Sequence, residues 1–201
     1  MKWIAITSPS FYDGEAVFIK MLTDCGVDTV HLRKPGASAD DCARLLDRMS
    51  GAERAHIVIH DFFELAVPYG LKGIHLNSRR NEVPDGYTGQ VSRSCHSLDE
   101  VQRYSPECDY VFLSPIFDSV SKQGYQSAFT AETLSRAAED GIINRKVIAL
   151  GGVTPDKIPY LMSLGFGGAA MLGCINSLAS LPEADLLTSL DKIKAAFMKK
   201  S

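Results

Sequence analysis

Short apolar and β-branched runs recur along the chain, and polar or glycine-containing segments separate them. This pattern predicts eight strands: KWIAIT (2–7), TVHLR (29–33), HIVIH (56–60), GIHL (73–76), QVSRSC (90–95), YVFLSPI (110–116), KVIALGG (146–152) and GAAMLG (168–173). Most of the intervening segments carry helix signals. Asp13 opens a stretch with an apolar side, Ser38 and Asp41 form an S-x-x-D start, and Thr154 precedes Pro155 as an N-cap would.

Strands that alternate with helices form parallel βα units. Eight units in 201 residues, with no linker between them, predict a compact (β/α)8 TIM barrel that forms a single domain over residues 1–201. The alternative is an open doubly wound sheet, whose usual five or six strands fit this count less well. Residues 77–89 lack a helix pattern, so we expect a long loop or a single turn there.

Composition and charge exclude several classes of function. The formal net charge of -3 does not indicate binding to nucleic acid or to a membrane surface. No apolar run approaches the roughly 18 residues that a membrane span requires. The five cysteines are odd in number and form no C-x-x-C motif, which is typical of reduced thiols and predicts a cytoplasmic protein.

Barrels of this kind carry their chemistry where the strands end. Gly151–Gly152 and the run GFGGAAMLG (165–173) favour a phosphate cradle after the last two strands, although turns and helix packing alone would also use these glycines. Arg33 ends the second strand and suits a carboxylate or phosphate, or an ion pair with Asp61. Ser119, Ser121 and Lys122 follow the sixth strand and suit a phosphate, or form a plain polar loop.

His96 stands between a strand and a helix start. Ser97 and Glu100 form a capping box, so we expect the positive end of the helix to keep the imidazole neutral and able to exchange a proton with carbon. The alternative is a structural histidine bonded to a carbonyl. His56 is expected at the opposite face, and the pattern alone does not choose between His96 and three competitors: His31, His60 and His75.

Seven stretches occur in order at predicted strand exits: VHLRK (30–34), IHDFFELA (59–66), GIHL (73–76), SRSCHSLDEV (92–101), DYVFLSPIFDSVSK (109–122), VIALGGVTPDKI (147–158) and GFGGAAMLGCI (165–175). In these seven stretches the chain resembles the thiamine phosphate synthase/thiazole tautomerase family of (β/α)8 barrels. The family's synthase joins a pyrimidine pyrophosphate to thiazole phosphate with the help of Mg²⁺. Its tautomerase shifts a proton to aromatise carboxythiazole phosphate and needs no metal.

The resemblance implies roles for particular residues. It implies a thiazole phosphate site at Gly151, Gly152, Leu172 and Gly173, and a Mg²⁺ ligand at Asp61 only if the protein is a synthase. It implies contacts with substrate or pyrophosphate from a longer set: His31, Lys34, His60, Ser94, Ser119, Ser121 and Lys122.

Departures from the synthase pattern decide the expected activity. HLRKP (31–35) replaces Q-L-R-E-K, and NSRR (77–80) replaces G-Q-x-D, so an arginine stands where a second carboxylate would bind Mg²⁺. RSCHS (93–97) is similar to the tautomerase branch. We therefore expect a tautomerase without a cofactor, in which His96 moves the proton and Arg33 holds the substrate carboxylate. The alternatives are a thiamine phosphate synthase that uses Mg²⁺, or a non-catalytic binder of thiazole or thiamine phosphates. The sequence is compatible with a homodimer, and it leaves open whether residues 118–127 form a lid.

Overall fold

The computed structural model describes residues 1–118 and 129–198. Eight strands follow one another around a closed barrel: β1 (Lys2–Ile6), β2 (Thr29–Leu32), β3 (Ile57–Ile59), β4 (Gly73–Leu76), β5 (Gln90–Cys95), β6 (Tyr110–Leu113), β7 (Val147–Leu150) and β8 (Gly168–Met171). Neighbouring strands are parallel, and β1 pairs with β8. The predicted barrel is confirmed, and the open sheet is wrong because the first and last strands are hydrogen-bonded.

Helices connect most of the strands: α1 (Glu15–Asp24), α2 (Ala39–Leu46), α3 (Gly51–Arg54), α4 (Leu98–Tyr104), α5 (Ala131–Glu139), α6 (Ile158–Ser163), α7 (Gly173–Asn176) and α8 (Glu183–Met198). Short 3-10 turns span Phe63–Leu65, Ser105–Glu107 and Pro155–Lys157. The predicted capping box of Ser38 and Asp41 is present at α2. Within the described ranges, no helix is both long and apolar enough to cross a membrane.

Two predicted helix starts differ from the structure. Gly14, not Asp13, is the N-cap of α1, and its φ of 85° lies in the left-handed region that glycine adopts without strain. Thr154 is the N-cap residue of the 3-10 turn Pro155–Lys157, with Pro155 in its first turn, but the Thr154 side chain accepts no capping hydrogen bond, and α6 begins only at Ile158. Residues 77–89 contain no helix, as predicted: Asn77 and Arg80 pair through backbone hydrogen bonds of 2.8 and 3.1 Å.

Alternation along the strands divides the core into two parts. Val30 and Leu32 of β2 belong to the large cluster beneath the helices, so His31 between them points into the barrel. One side of the barrel interior is apolar, with a cluster of Ile4, Ile6, Tyr110, Phe112, Ile148 and Ala170. The other side is polar, because His31, His75 and Ser92 are each fully buried there.

Candidate active site

Parallel closure brings the carboxyl ends of all eight strands to one rim. The residues that follow the strands at this rim include Arg33, His60, Asp61, Asn77, His96, the pair Gly151–Gly152 after β7, and Leu172 and Gly173 after β8. The rest of the predicted glycine run 165–173 precedes or forms β8, and Ser94 is the next-to-last residue of β5. Ser119, Ser121 and Lys122 lie outside the described residues, as does most of the segment 118–127.

The glycine pair after β7 is required by backbone packing. Gly151 and Gly152 have φ values of 95° and 61°. A Cβ at Gly152 would lie 2.4 Å from the carbonyl oxygen of Asp118, and one at Gly151 would lie 2.7 Å from Cα of Pro115. The turn-and-packing interpretation therefore holds for this pair, and phosphate binding stays a prediction for it, as it does for Leu172 and Gly173 at the start of α7.

Lys34 points into the protein. Its side chain is about 1% exposed, and Nζ donates to Glu15 Oε1 at 2.5 Å, to the Ser8 carbonyl at 2.9 Å and to the Ser10 carbonyl at 3.0 Å. Burial lowers the pKa of Lys34 and raises that of Glu15, although the ion pair between them opposes both shifts. Because all three ammonium hydrogens are used internally, this geometry opposes the predicted contact between Lys34 and a substrate.

Three histidines meet inside the barrel. His31 Nδ1 lies 2.9 Å from His60 Nε2, and His31 Nε2 lies 2.6 Å from the hydroxyl of Tyr110. The rings of His60 and His75 stack with centroids 4.2 Å apart. Burial is the main cause that lowers the pKa of His31 and His60 well below 6.5 and that of His75 to about 3. The three imidazoles are therefore neutral near pH 7.

The tautomer of His75 follows from its partners. Ser92 donates its single hydroxyl hydrogen to the carbonyl of Ile74 at 3.2 Å, so it accepts from His75 Nδ1 at 2.8 Å. His75 Nε2 is then the acceptor for the Ser94 hydroxyl, also at 2.8 Å. Ser94 is thus held by His75 at the rim, with its oxygen lone pairs directed elsewhere.

His96 is exposed at the end of β5. Its Nδ1 lies 3.0 Å from the carbonyl oxygen of Ser114, so Nδ1 carries the hydrogen and donates it. In the neutral ring, Nε2 is then the nitrogen that can accept a proton. Ser97 caps α4 as predicted, but the carboxylate of Glu100 accepts from the His96 amide at 2.5 Å rather than closing the box on Ser97.

Arg33 and Asp61 do not pair. Asp61 accepts from the guanidinium of Arg79 at 3.2 Å instead. Arg33 is half-buried, and it forms no ion pair with any residue in 1–118 or 129–198. Arg33 directly follows β2 and His60 directly follows β3, and the pairing of Leu32 with Ile59 places the two residues side by side at the rim. The positive charge of Arg33 adds to the effect of burial in lowering the pKa of His60.

Sequence reasoning missed three residues, two in the barrel interior and one at the rim. Tyr110 and Ser92 complete the buried histidine network, although both belong to strands whose interiors were expected to be apolar. Lys157 donates to the carbonyl of Gly152 at 2.9 Å and adds a positive charge beside the glycine pair. The sequence VTPDK places Lys157 five residues after Gly152, which was the available signal.

The fold is a (β/α)8 barrel whose described residues bring polar side chains together at the carboxyl ends of the strands, the rim where enzymes of this fold carry their active sites. Comparison with known proteins specifies the family. Residues 4–175 match the family model described as thiamine monophosphate synthase, and the chain belongs to this family of thiamine biosynthesis enzymes.

Individual relatives agree with the family. The chain is 28% identical over 172 residues to the thiamine-phosphate synthase of Yersinia pestis (strain Pestoides F), covering 79% of this chain and 78% of the relative. It is 26% identical over 192 residues to that of Geobacillus kaustophilus, covering 89% and 85%. The crystal structure of thiamine phosphate pyrophosphorylase from Bacteroides thetaiotaomicron superposes with a TM-score of 0.88, at 38% identity, over 98% of this chain and 97% of that one.

Proposed function

We propose that the protein is a thiamine-phosphate synthase, which joins a pyrimidine pyrophosphate to thiazole phosphate and releases pyrophosphate. The observation that carries this proposal is the 38% identity to a thiamine phosphate pyrophosphorylase over 98% of the chain. The tautomerase expectation is not confirmed by the relatives, whose names favour the synthase alternative.

The described residues support a division of the rim into two parts. Arg33 and His60 are neighbours on the β2–β3 side, and both can donate to an anionic oxygen of the pyrophosphate. The Gly151–Gly152 and Gly173 segments follow β7 and β8, where barrels of this fold commonly hold phosphate, and we assign the thiazole phosphate to them with Lys157 nearby.

Mg²⁺ fits the described rim poorly. Asp61 is the carboxylate that the family pattern would use, and the guanidinium of Arg79 lies 3.2 Å from it. Asn77 Oδ1, a further oxygen at this edge, accepts from the backbone amides of Arg79 and Arg80. A divalent ion here would have to displace a positive charge, so we derive no step through a metal.

A second candidate function rests on His96. Because Ser114 fixes the hydrogen of His96 on Nδ1, Nε2 is free to take a proton from a bound carbon acid and return it. Together with the Asp61–Arg79 ion pair, this favours metal-free aromatisation of carboxythiazole phosphate.

Parallel assays separate the two reactions. The protein is incubated with pyrimidine pyrophosphate, thiazole phosphate and Mg²⁺, and in a second tube with non-aromatic carboxythiazole phosphate without metal. Pyrophosphate release in the first tube supports the synthase. Aromatisation in the second tube alone contradicts it, and binding of thiazole phosphate with neither reaction indicates a non-catalytic binder. The proposal also includes a single domain over residues 1–201, a cytoplasmic location and a homodimer. The two assays do not address these three points.

A further inference from the structure

The barrel interior contains a hydrogen-bonded chain whose hydrogens can be assigned. It runs from Tyr110 on β6 through His31 on β2 to His60 at the end of β3. His31 is fully buried and His60 is 5% exposed. Buried polar groups need partners, and a chain of such groups specifies the position of each hydrogen along it.

The first link assigns His31. The Tyr110 oxygen and His31 Nε2 are 2.6 Å apart, which is shorter than the usual range for an N–H donor and suits a hydroxyl donor. Burial also raises the pKa of the Tyr110 phenol, which keeps the hydroxyl protonated. Ser92 also interacts with the Tyr110 hydroxyl, but the hydrogen of Ser92 is donated to the Ile74 carbonyl. The 2.6 Å contact therefore assigns the Tyr110 hydrogen to His31 Nε2. The single hydrogen of the neutral His31 ring then lies on Nδ1.

The second link assigns His60. His31 Nδ1–H donates to His60 Nε2 at 2.9 Å, so the hydrogen of His60 lies on Nδ1. His60 Nδ1 has no partner in the described ranges, and it is not one of the buried polar atoms that lack one, so this edge of the ring reaches the barrel mouth. Asn77 fixes the backbone here by donating to the His60 carbonyl at 2.9 Å.

We propose that Tyr110 and His31 are positioning residues that lock His60 as a hydrogen-bond donor, through Nδ1–H, to an anionic oxygen of the ligand. This inference rests on the proposed function for the identity of that ligand, a pyrophosphate. A neutral imidazole donor stabilises negative charge without giving up its proton. His96 has the opposite arrangement, because its Nδ1–H is used by Ser114 and its Nε2 accepts. The two histidines at the rim thus divide the roles of donor and acceptor.

A metal ion is the competing interpretation, since one nitrogen from each of His31, His60 and His75 lies within 4.8 Å of the others. The geometry opposes it. Both nitrogens of His75 bond to serine hydroxyls at 2.8 Å. The His60 and His75 planes are stacked and only 26° apart, so their in-plane lone pairs do not converge on one point.

The hydrogen positions are tested directly by ¹⁵N NMR of the imidazoles in the intact protein. The proposal predicts that His60 is protonated at Nδ1 in the wild type and that its tautomers mix in Tyr110→Phe. Tyr160→Phe is the matched control, because it removes a buried hydroxyl that has no partner among the described residues. A wild-type His60 protonated at Nε2 would overturn the assignment.

Binding of inorganic pyrophosphate, measured by calorimetry, tests the consequence. Tyr110→Phe should weaken binding about tenfold, the effect of impairing one hydrogen bond to a charged group, whereas Tyr160→Phe should not change it. His31→Gln should keep most of the affinity, because its amide can still donate to His60 Nε2, and His31→Leu should not. Equal affinities in Tyr110→Phe and Tyr160→Phe, no binding of pyrophosphate to the wild type, or stoichiometric Zn²⁺ binding that His31→Leu abolishes would each contradict the proposal.

Failure of this inference is distinguishable from failure of the proposed function. A protein that makes thiamine phosphate but has the other His60 tautomer overturns the inference alone. A protein with the predicted tautomer and pyrophosphate affinity that makes no thiamine phosphate supports the inference and overturns the synthase assignment.

Discussion

Acidification should destabilise this barrel well before its carboxylates titrate. Burial lowers the pKa of His31, His60 and His75 in the folded protein, whereas in the unfolded chain each imidazole has its ordinary pKa of 6.5. Below pH 6.5 the unfolded state therefore binds protons that the folded state does not. Stability is present above this pH and is lost as the pH falls.

The size of the loss follows from the number of groups. Between pH 6.5 and pH 5.5, each imidazole that titrates only in the unfolded state lowers the free energy of unfolding by about 1 kcal/mol. The three imidazoles together therefore lower it by about 3 kcal/mol. Glu15 acts with the opposite sign, because burial raises its pKa and the folded state takes up its proton first on further acidification.

Urea unfolding followed by circular dichroism at the two pH values measures this difference. His75→Gln serves as the comparison, since it removes one of the three groups and leaves Glu15 unchanged. The pH-dependent loss should then shrink by about 1 kcal/mol. A wild-type difference below about 1 kcal/mol, or an equal difference in the variant, would refute the assignment of neutral buried imidazoles.

Three further predictions concern single side chains. His96→Ala should lower the kcat for aromatisation of carboxythiazole phosphate by about 10²–10⁴-fold without loss of thiazole phosphate binding, and an unchanged kcat would remove His96 from proton transfer. Arg79→Ala should lower the Mg²⁺ concentration for half-maximal synthase activity by up to about fivefold, since a partly exposed ion pair contributes about 1 kcal/mol or less. Arg80→Ala is the control, because it alters the net charge equally and keeps the Arg79–Asp61 ion pair. An equal decrease in the required Mg²⁺ concentration in Arg80→Ala would contradict this explanation. Lys34→Met should destabilise the protein by about 3–5 kcal/mol in thermal unfolding, because it leaves the Glu15 carboxylate buried and unpaired. Adding Glu15→Leu should recover most of that loss, and a further loss would show that the pair itself is not the cause.

The order of strands was predictable because each strand is a short apolar run bounded by turn signals. The residues of the rim followed from the same pattern, since the carboxyl ends of parallel strands meet at one face. The capping box at Ser38 was also predictable, because its two partners are only three residues apart in the chain.

Contacts across the barrel were not predictable from local pattern. Lys34 meets Glu15 nineteen positions away, and nothing in the sequence HLRKP indicates that its ammonium turns inward. Likewise, the sequence offered several candidate histidines without a way to choose. The register that brings His31 beside His60 and Tyr110 depends on strand pairing around the whole barrel.

Formation of thiamine phosphate tests the central claim most directly. The purified protein, supplied with pyrimidine pyrophosphate, thiazole phosphate and Mg²⁺, should produce thiamine phosphate and one equivalent of pyrophosphate in repeated turnovers. A protein that binds thiazole phosphate but releases no pyrophosphate, while it aromatises carboxythiazole phosphate without metal, would contradict the account.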